Sequence, residues 1–418
     1  MEIIKSAEIL CVGTELLMGQ IVNTNAAFLA KQLSEIGISS YYQTVVGDNP
    51  ERLAAQIRTA AARSDCVLIT GGLGPTADDI TMSVAASVAG IALAMHEPSR
   101  LAIEKYLTRL GRRVVTENNW KQAMLPVSGT VLPNLNGTAP GAMMPCVIDG
   151  HESILILTPG PPSEIIPMFN DSIRPFLEDH APQSLRTHFV RLIGIGESSA
   201  EDMLKDLIAA QDNPTIAPYV SEGEVMFRVT QHMTSADEPD LTLPVLDEIQ
   251  KRMSRYIYEI GPRSMPQVVR DLLFDINRTV SFAESCTGGL LSGTLTDWAG
   301  VSAIFHGAIV AYDNRIKTEL LRVPEAILAQ EGAVSEACAI AMAIGCRDVM
   351  KTDYAVSVTG IAGPDGATDD KPVGLVYIGI ADQNGADAIR LQLAGNRARI
   401  RRVSVLQALN LLRLRLLA

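Results

Sequence analysis

The sequence lacks the cysteine spacings that are typical of disulfide frameworks and zinc sites. No CxxC pair occurs, so neither a disulfide-stabilised secreted scaffold nor a zinc ribbon is expected. Several of the cysteines lie within or next to apolar runs, where small buried thiols are usual. The six cysteines are Cys11, Cys66, Cys146, Cys286, Cys338 and Cys346.

The sequence is also short of positive charge and of long apolar runs. It has 35 Lys and Arg against 47 Asp and Glu, and the net charge of −12 argues against broad non-specific binding of nucleic acid. No apolar run has membrane-spanning length, and the first residues lack a basic-then-apolar signal pattern. With 418 residues, 47% hydrophobic and 20% charged, we expect a cytoplasmic globular protein of two or three domains without a membrane partner.

A glycine-rich stretch at residues 67–81, VLITGGLGPTADDIT, organises the front of the chain. A short β-branched run predicts a buried strand, and the acidic residues at its end predict a helix N-terminus at 76–79. Between them, a turn of this kind points free backbone N–H groups at a phosphate. The alternative is a tight turn before an ordinary acidic helix. The predicted phosphate-binding residues are Gly71, Gly72, Gly74 and Thr76.

Acidic residues follow several predicted strands in residues 1–175, where strands alternate with helices. Such alternation predicts a parallel, doubly wound sheet whose ligands bind beyond the carboxyl ends of the strands. Clustered carboxylates repel one another unless a cation lies among them. A divalent metal that bridges carboxylates and phosphate is therefore expected. Its predicted ligands are Glu15, Asp48, Asp78 and Asp79.

Four runs of this region, at 13–30, 70–81, 136–142 and 158–164, resemble the CinA family of competence/damage-inducible proteins. The front domain of that family is similar to molybdopterin-binding domains. The resemblance implies an ADP-ribose pyrophosphatase that depends on a divalent metal (Co, Mn or Mg) and forms AMP and ribose 5-phosphate. Asp48 and Asp79 match the acidic positions of the molybdopterin-binding pattern. Molybdopterin binding and an inactive relic are the alternatives for this domain.

Residues 176–260 differ in pattern, with a predicted order of strand, helix, strand, strand and helix, and a predicted loop at 235–244. In the CinA family such a small α+β unit looks like a KH-type fold. The segment GIGES at 194–198 lacks the basic GxxG loop that clamps a nucleic-acid backbone. A spacer or dimerisation role is favoured, and nucleic acid is not an expected partner.

Residues 261–418 again alternate strands and helices, which predicts a second doubly wound α/β domain. Polar residues follow three of its predicted strands, at Ser285, Tyr312 and Thr359. The expected architecture is thus two doubly wound α/β domains, at 1–175 and 261–418, joined by the small α+β domain.

Runs at 282–289, 311–317, 358–366 and 371–379 resemble the nicotinamide-nucleotide amidase domain that ends CinA proteins. The resemblance implies hydrolysis of nicotinamide mononucleotide to nicotinic acid mononucleotide and ammonia, without a cofactor. It also implies a catalytic serine, tyrosine and lysine, with further residues that bind the nucleotide or support the site. The matching positions are Ser302, Tyr312 and Lys317 for catalysis, and Ser285, Thr359 and Arg399 for binding or support.

The chemistry of these residue types agrees with amide hydrolysis. A buried lysine with a lowered pKa can activate a serine, and a tyrosine can relay the proton. Cys286, at a predicted helix N-terminus, is the rival nucleophile. Ten residues separate Ser302 from Tyr312, which is about 30 Å in an extended strand. Either the chain bends near residues 306–307 or the site combines two subunits.

Together these patterns predict a two-activity hydrolase of pyridine-nucleotide salvage. Nicotinamide mononucleotide and ADP-ribose are the expected small-molecule partners, and the resemblance favours a homodimer. The alternative from another class is a non-enzymatic nucleotide-binding or recombination-partner protein in DNA uptake.

Overall fold

The structure, a computed structural model, describes residues 3–111, 116–182, 184–233 and 237–418. The chain forms two compact units, Met1–Arg186 with His232–Pro239 and Thr187–Gln231 with Asp240–Ala418. Of the loop predicted at 235–244, residues 235 and 236 lie outside the described residues, and its last residues already belong to a helix that begins at Thr242.

The first unit is an α/β fold built on one large sheet. Its strands are β1 (Ala7–Val12), β2 (Gln43–Val46), β3 (Cys66–Thr70), β4 (Leu93–Met95), β5 (Met124–Pro126), β6 (Thr130–Leu132), β7 (Gly141–Ile148) and β8 (His151–Thr158). Its α-helices are α1 (Thr14–Leu17), α2 (Thr24–Ile36), α3 (Pro50–Ala61), α4 (Thr81–Ala89), α5 (Glu97–Arg109), α6 (Pro162–Met168) and α7 (Arg174–His180).

The large sheet has the strand order β2-β1-β3-β8-β7-β6. The four strands from β2 to β8 are parallel, as predicted, but β7 and β6 are antiparallel. The hairpin between β7 and β8 turns at Asp149 and Gly150, whose φ angles are 50° and 82°. Asp-Gly is a strong signal for such a hairpin turn, because both residues tolerate positive φ. The sheet is therefore mixed, with an antiparallel edge.

The centre of this sheet is covered on both faces, as the continuous apolar runs of its strands require. Every residue of β1 and of β3 is buried. Leu29 of α2 and Phe169 pack on one face, and Leu53 of α3 and Val84 of α4 pack on the other. Because the parallel strands end together, the loops that follow them meet at one rim.

The second unit contains the remaining elements, apart from residues 184–186 and 232–233 of two of its strands, which belong to the first unit. Its strands are β9 (Ser184–Ile193), β10 (Thr215–Ser221), β11 (Glu224–Met233), β12 (Ile257–Ile260), β13 (Val280–Glu284), β14 (Phe305–Val310), β15 (Tyr354–Gly360), β16 (Leu375–Asp382) and β17 (Gly385–Gln392). Its α-helices are α8 (Glu197–Met203), α9 (Lys205–Ala210), α10 (Thr242–Met253), α11 (Met265–Asp275), α12 (Leu290–Thr296), α13 (Asn314–Glu319), α14 (Glu325–Gln330), α15 (Glu336–Met350) and α16 (Arg397–Leu416).

The first sheet of this unit has the order β10-β11-β9-β12 and forms the predicted small α+β fold with α8, α9 and α10. The tip of its β10–β11 hairpin reaches α16. There Glu222 forms an ion pair with Arg402, and Gly223 lies against Val403 and Leu406. Within the second unit, the small fold is therefore packed against the last helix of the chain.

The other sheet of this unit has the order β14-β13-β15-β16-β17. Its first three strands are parallel, while β16 and β17 form an antiparallel hairpin. The hairpin turns where Asp382 Oδ1 accepts hydrogen bonds from the N–H groups of Asn384 and Gly385, at 2.7 and 3.1 Å. Helix α15 covers one face of the sheet, and α11, α12 and α16 cover the other. Here too, the predicted parallel sheet is a mixed one.

Among the described residues, no helix has both the length and the apolar composition that crossing a membrane requires.

Candidate active site

A serine and a lysine meet where β13 and β14 end in the second unit. Ser285 directly follows β13, and Lys317 lies on α13, which follows β14. The two strands are parallel, with Glu284 opposite Val310, and Ala311 N donates to Glu284 O at 2.8 Å. This pairing brings together two loops that are far apart in the sequence.

The amine of Lys317 is enclosed although lysine is normally a surface residue. Its side chain is 1% exposed. Nζ lies 3.2 Å from Ser285 Oγ, and it donates to Ala311 O at 2.7 Å and to Tyr312 O at 3.3 Å. Burial lowers the pKa of Lys317, because the charged form loses its hydration. The two carbonyl groups fix the direction in which the amine faces the serine.

Ser302, the predicted nucleophile, does not lie beside Lys317. It is exposed in a short 3₁₀ helix, Val301–Ala303, that precedes β14, whereas Lys317 follows that strand. The six residues of β14 alone span roughly 16 Å. The predicted pairing of Ser302 with Lys317 is therefore corrected, because Ser285 is the serine beside that lysine within this chain. No bend near residues 306–307 is needed.

The rival nucleophile Cys286 is buried, with 6% of its surface exposed. Burial raises its pKa to about 11, so the side chain is a neutral thiol at physiological pH. A thiol of this kind is a poor nucleophile. Ser285, in contrast, is half-buried and opens towards solvent.

The loop after β13 is held by the buried carboxylate of Glu284. It accepts hydrogen bonds from the N–H groups of Gly289, Leu291 and Ser292 at 2.9 to 3.0 Å, which caps the start of α12. This carboxylate fixes the position of Ser285 on the rim.

The remaining predicted residues of this rim occupy different places. Thr359 is buried, and its hydroxyl donates a hydrogen bond to Ala333 O at 2.7 Å, which holds the side chain within the fold. Arg399 is exposed, and its Nε donates to Ala394 O at 3.1 Å. Arg397 instead donates to Tyr312 Oη at 3.0 Å. Sequence reasoning missed Arg397, although the arginine cluster at the start of α16 was the available signal.

A second polar rim lies in the first unit, around a cleft of about 580 Å³. The predicted phosphate-binding and metal-binding residues line it together, with the exception of Thr76, whose N–H and hydroxyl donate instead to the carboxylate of Asp79. The predicted residues that line this front cleft are Glu15, Asp48, Gly71, Gly72, Gly74, Asp78 and Asp79.

The glycine turn of the front cleft requires glycine at two positions. A Cβ at Gly71, where φ is 100°, would lie 2.2 Å from Val12 O, and one at Gly72 would lie 2.2 Å from Thr81 Oγ1. The helix after the turn begins at Thr81 and not at 76–79 as predicted. The physical reason is the bond from Thr76 N–H to Asp79, which closes a separate turn before the helix.

Several carboxylates of the front cleft accept hydrogen bonds from nearby protein groups. Asp48 Oδ2 accepts from Thr14 N at 3.0 Å and from Thr14 Oγ1 at 2.8 Å. A hydrogen bond from Thr76 lowers the pKa of Asp78, and burial raises the pKa of Glu164. Asp48 and Asp79 both accept their bonds through Oδ2. These bonds do not use the Oδ1 atom of either residue.

Within the described parts of the chain, no three His, Cys, Asp or Glu side chains are close enough to hold a metal by themselves. The four predicted ligands therefore do not form a protein-only cage. A Mg²⁺-like ion commonly takes one or two carboxylates and completes its shell with water and substrate phosphates. Asp48 and Asp79 fit that arrangement.

Three families match this chain in succession. Residues 8–179 match the probable molybdopterin binding domain, residues 187–258 match the KH domain of damage-inducible protein CinA, and residues 263–416 match the CinA C-terminal domain. A solved crystal structure, that of the competence/damage inducible protein CihA from Agrobacterium tumefaciens, is similar to this chain with 38% sequence identity. It covers 38% of this chain and 98% of its own, with a TM-score of 0.36.

Relatives match over nearly the whole length. A CinA-like protein of Dictyoglomus thermophilum is 47% identical over 407 residues, which are 97% of this chain and 98% of the relative. A CinA-like protein of Kosmotoga olearia is 44% identical over 414 residues, which are 98% of this chain and 99% of the relative. With three domain matches in family order and similarity along almost the entire sequence, this chain belongs to the CinA family.

Proposed function

We propose that the C-terminal part of this protein hydrolyses the carboxamide of nicotinamide mononucleotide to nicotinic acid mononucleotide and ammonia. The contact between Ser285 Oγ and the buried Nζ of Lys317 carries this proposal. A hydroxyl beside a desolvated amine is the arrangement that an acyl-transfer nucleophile needs.

The reaction begins with the neutral amine of Lys317. Nζ takes the proton of Ser285 Oγ as the oxygen attacks the carboxamide carbon, and an anionic tetrahedral intermediate forms. When it collapses, the C–N bond breaks and the amine returns a proton to the leaving nitrogen, which departs as ammonia. Water then attacks the acyl-serine with Lys317 again as base. The carboxylate product and free Ser285 result.

Tyr312 and Arg397 lie at the mouth of this site. The phenol of Tyr312 accepts a hydrogen bond from Arg397, whose other nitrogen donates to Gly363 O at 2.8 Å. The Tyr312 hydroxyl keeps its own proton, with which it can donate a hydrogen bond that orients the carboxamide. The positive charge of Arg397 favours the phosphate end of a nucleotide.

Ammonia release from nicotinamide mononucleotide by the purified full-length protein tests this proposal. Ser285→Ala should abolish release. No ammonia from the wild-type protein would favour the non-enzymatic alternative.

We propose as a second activity that the front cleft hydrolyses ADP-ribose to AMP and ribose 5-phosphate. The observation in favour is that a glycine turn and the carboxylates of Asp48 and Asp79 line one cleft. A divalent metal, when bound, would neutralise phosphate charge and supply a hydroxide. Asp48 and Asp79 would hold the metal, and the N–H groups of the turn would orient the diphosphate. Phosphate-ester products measured with and without EDTA test this activity.

The two proposed substrates belong to one metabolic context. ADP-ribose and nicotinamide mononucleotide both arise when NAD is consumed, so one chain with both hydrolases would serve pyridine-nucleotide salvage.

A further inference from the structure

The two-residue turn of the β10–β11 hairpin, Glu222 and Gly223, lies against α16. We propose that this hairpin tip is a positioning element for the amidase reaction, in which Glu222 holds the first turns of α16 where their arginines act. The proposal rests on the proposed amidase function of the second unit. It assigns to the small α+β fold a role that needs no nucleic acid.

The first two turns of α16 contact the loops at the rim of the second unit. Arg397 donates hydrogen bonds to Tyr312 Oη at 3.0 Å and to Gly363 O at 2.8 Å. Arg401 donates to Thr287 O at 2.6 Å, in the loop that follows β13. The position and rotation of the helix therefore decide where these arginines lie and how firmly the loop is held.

Glu222 bonds the next residue of the helix through both carboxylate oxygens. Its Oε1 accepts from Arg402 Nη2 at 2.8 Å, and its Oε2 accepts from Arg402 Nε. Two parallel bonds fix the direction of a guanidinium as well as its distance. An exposed ion pair adds little to stability, so its effect here is on position. Arg401 and Arg402 lie about 100° apart around the helix, so holding one sets the rotation that presents the other to the rim.

The start of α16 also needs a negative charge from outside the helix. Four arginines occupy residues 397–402, and the 20 residues of α16 include no Asp or Glu. Like charges one turn apart repel, and positive charge is unfavourable at a helix N-terminus. Glu222 supplies a carboxylate at this point, and the hydrogen bond from Arg402 lowers its pKa. Loss of that carboxylate should therefore disturb the whole arginine cluster.

The hairpin holds its tip from the core of the small fold. Residues 215–221 of β10 pair with residues 224–230 of β11 in unbroken register, and buried side chains of both strands belong to that core. Gly223, with a φ of 90°, closes the two-residue turn. A Cβ there would lie 3.3 Å from both Val403 and Leu406, so glycine allows the turn to approach the helix closely.

The test measures ammonia release from nicotinamide mononucleotide by charge-reversed, full-length variants. Glu222→Arg should raise KM about tenfold and leave kcat within threefold of wild type, because the contact between Ser285 and Lys317 does not involve α16. The double variant Glu222→Arg with Arg402→Glu restores an ion pair of opposite direction and should return KM to within threefold of wild type. Glu201→Arg makes the same charge change at an exposed residue of the small fold and should behave as wild type.

Hydrogen–deuterium exchange keeps the test decisive even if the wild-type protein releases no ammonia. The backbone amides of residues 285–292 should exchange at least threefold faster in Glu222→Arg than in wild type, and at the wild-type rate in the double variant. The expected exchange pattern without any ammonia release would contradict the amidase function but support the positioning of the rim by the hairpin tip.

Two results would overturn the proposal. One is an unchanged KM together with unchanged exchange in Glu222→Arg. The other is a double variant as impaired as Glu222→Arg, because the effect would then come from the arginine cluster alone and not from its contact with the hairpin tip.

Discussion

The two polar rims of this protein place their charges in opposite surroundings. At the front cleft the carboxylates are half-buried or exposed and are bonded to threonine hydroxyl and amide groups. At the rim of the second unit, where β13 and β14 end, a lysine is enclosed and faces a serine. Solvated carboxylates keep their charge and can attract a cation, whereas a desolvated amine gives up its charge and becomes a base. The edges of two similar sheets are thus suited to two kinds of hydrolysis. One can be assisted by a bound metal, and the other by a neutral amine.

The largest expected effect is at the enclosed lysine. Lys317→Met, which keeps the length but removes the amine, should lower kcat for ammonia release by about 10³-fold or more, because it removes the base that lies beside Ser285 Oγ. Lys317→Arg should be equally inactive, since arginine stays protonated. The measurement is ammonia release at saturating nicotinamide mononucleotide.

The control for this variant is Lys251→Met, at an exposed lysine of α10. It should retain full activity. Lys317→Met leaves the carbonyl groups of Ala311 and Tyr312 without their donor, so its thermal midpoint should fall somewhat. A native circular-dichroism spectrum at the assay temperature then separates lost chemistry from lost folding. Substantial ammonia release by Lys317→Met would contradict the assigned base.

A smaller but still large effect is expected at the front rim. Asp79→Asn should reduce ADP-ribose hydrolysis about 10²-fold, because the metal would lose a charged ligand while an amide oxygen can still accept from Thr76. EDTA should likewise reduce ADP-ribose hydrolysis by the wild-type protein. Ammonia release should respond to neither change. Asp179→Asn, at an exposed residue of the same unit, is the matched control.

The pH dependence of the amidase reports the lowered pKa of Lys317. The amine acts as a base only when neutral, so kcat/KM should rise with pH and reach its plateau below the ordinary lysine value of about 10.4. Below the plateau, activity should fall about tenfold per pH unit. If kcat/KM still rises with pH at the ordinary lysine pKa of about 10.4, the assignment of the buried Lys317 as the base would be contradicted.

The smallest effect is expected at the buried thiol. Cys286→Ser should keep ammonia release within about threefold of wild type, since a thiol with a pKa of about 11 is not the nucleophile. The buried hydroxyl should lower the free energy of unfolding by about 1 kcal/mol. Loss of activity equal to that of Ser285→Ala would support the thiol instead.

The sequence allowed the central strands to be predicted closely because they are buried on both faces. Their apolar, β-branched runs stand out from the surrounding sequence, as at β3 and β15. The antiparallel edges were not predicted, although Asp149-Gly150 and Asn384-Gly385 are hairpin signals. The boundaries proposed at 175 and 260 stay predictions.

The candidate sites were only partly predictable for a physical reason. Ser285 and Lys317 were both named, but the nucleophile was placed at Ser302. Local patterns show that a polar residue follows a strand, but they do not show which strands become neighbours. The parallel pairing of β13 with β14 decides that Ser285 meets Lys317 across 32 positions. Side-chain networks such as the bond from Arg397 to Tyr312 depend on the same long-range packing.

The most direct test of the central claim is ammonia release by two serine variants of the full-length protein. Ser285→Ala removes the hydroxyl beside Lys317, and Ser302→Ala removes the one at the opposite end of β14. The account predicts that Ser285→Ala loses about 10³-fold or more of kcat while Ser302→Ala stays within twofold of wild type. An active Ser285→Ala together with an inactive Ser302→Ala would contradict it.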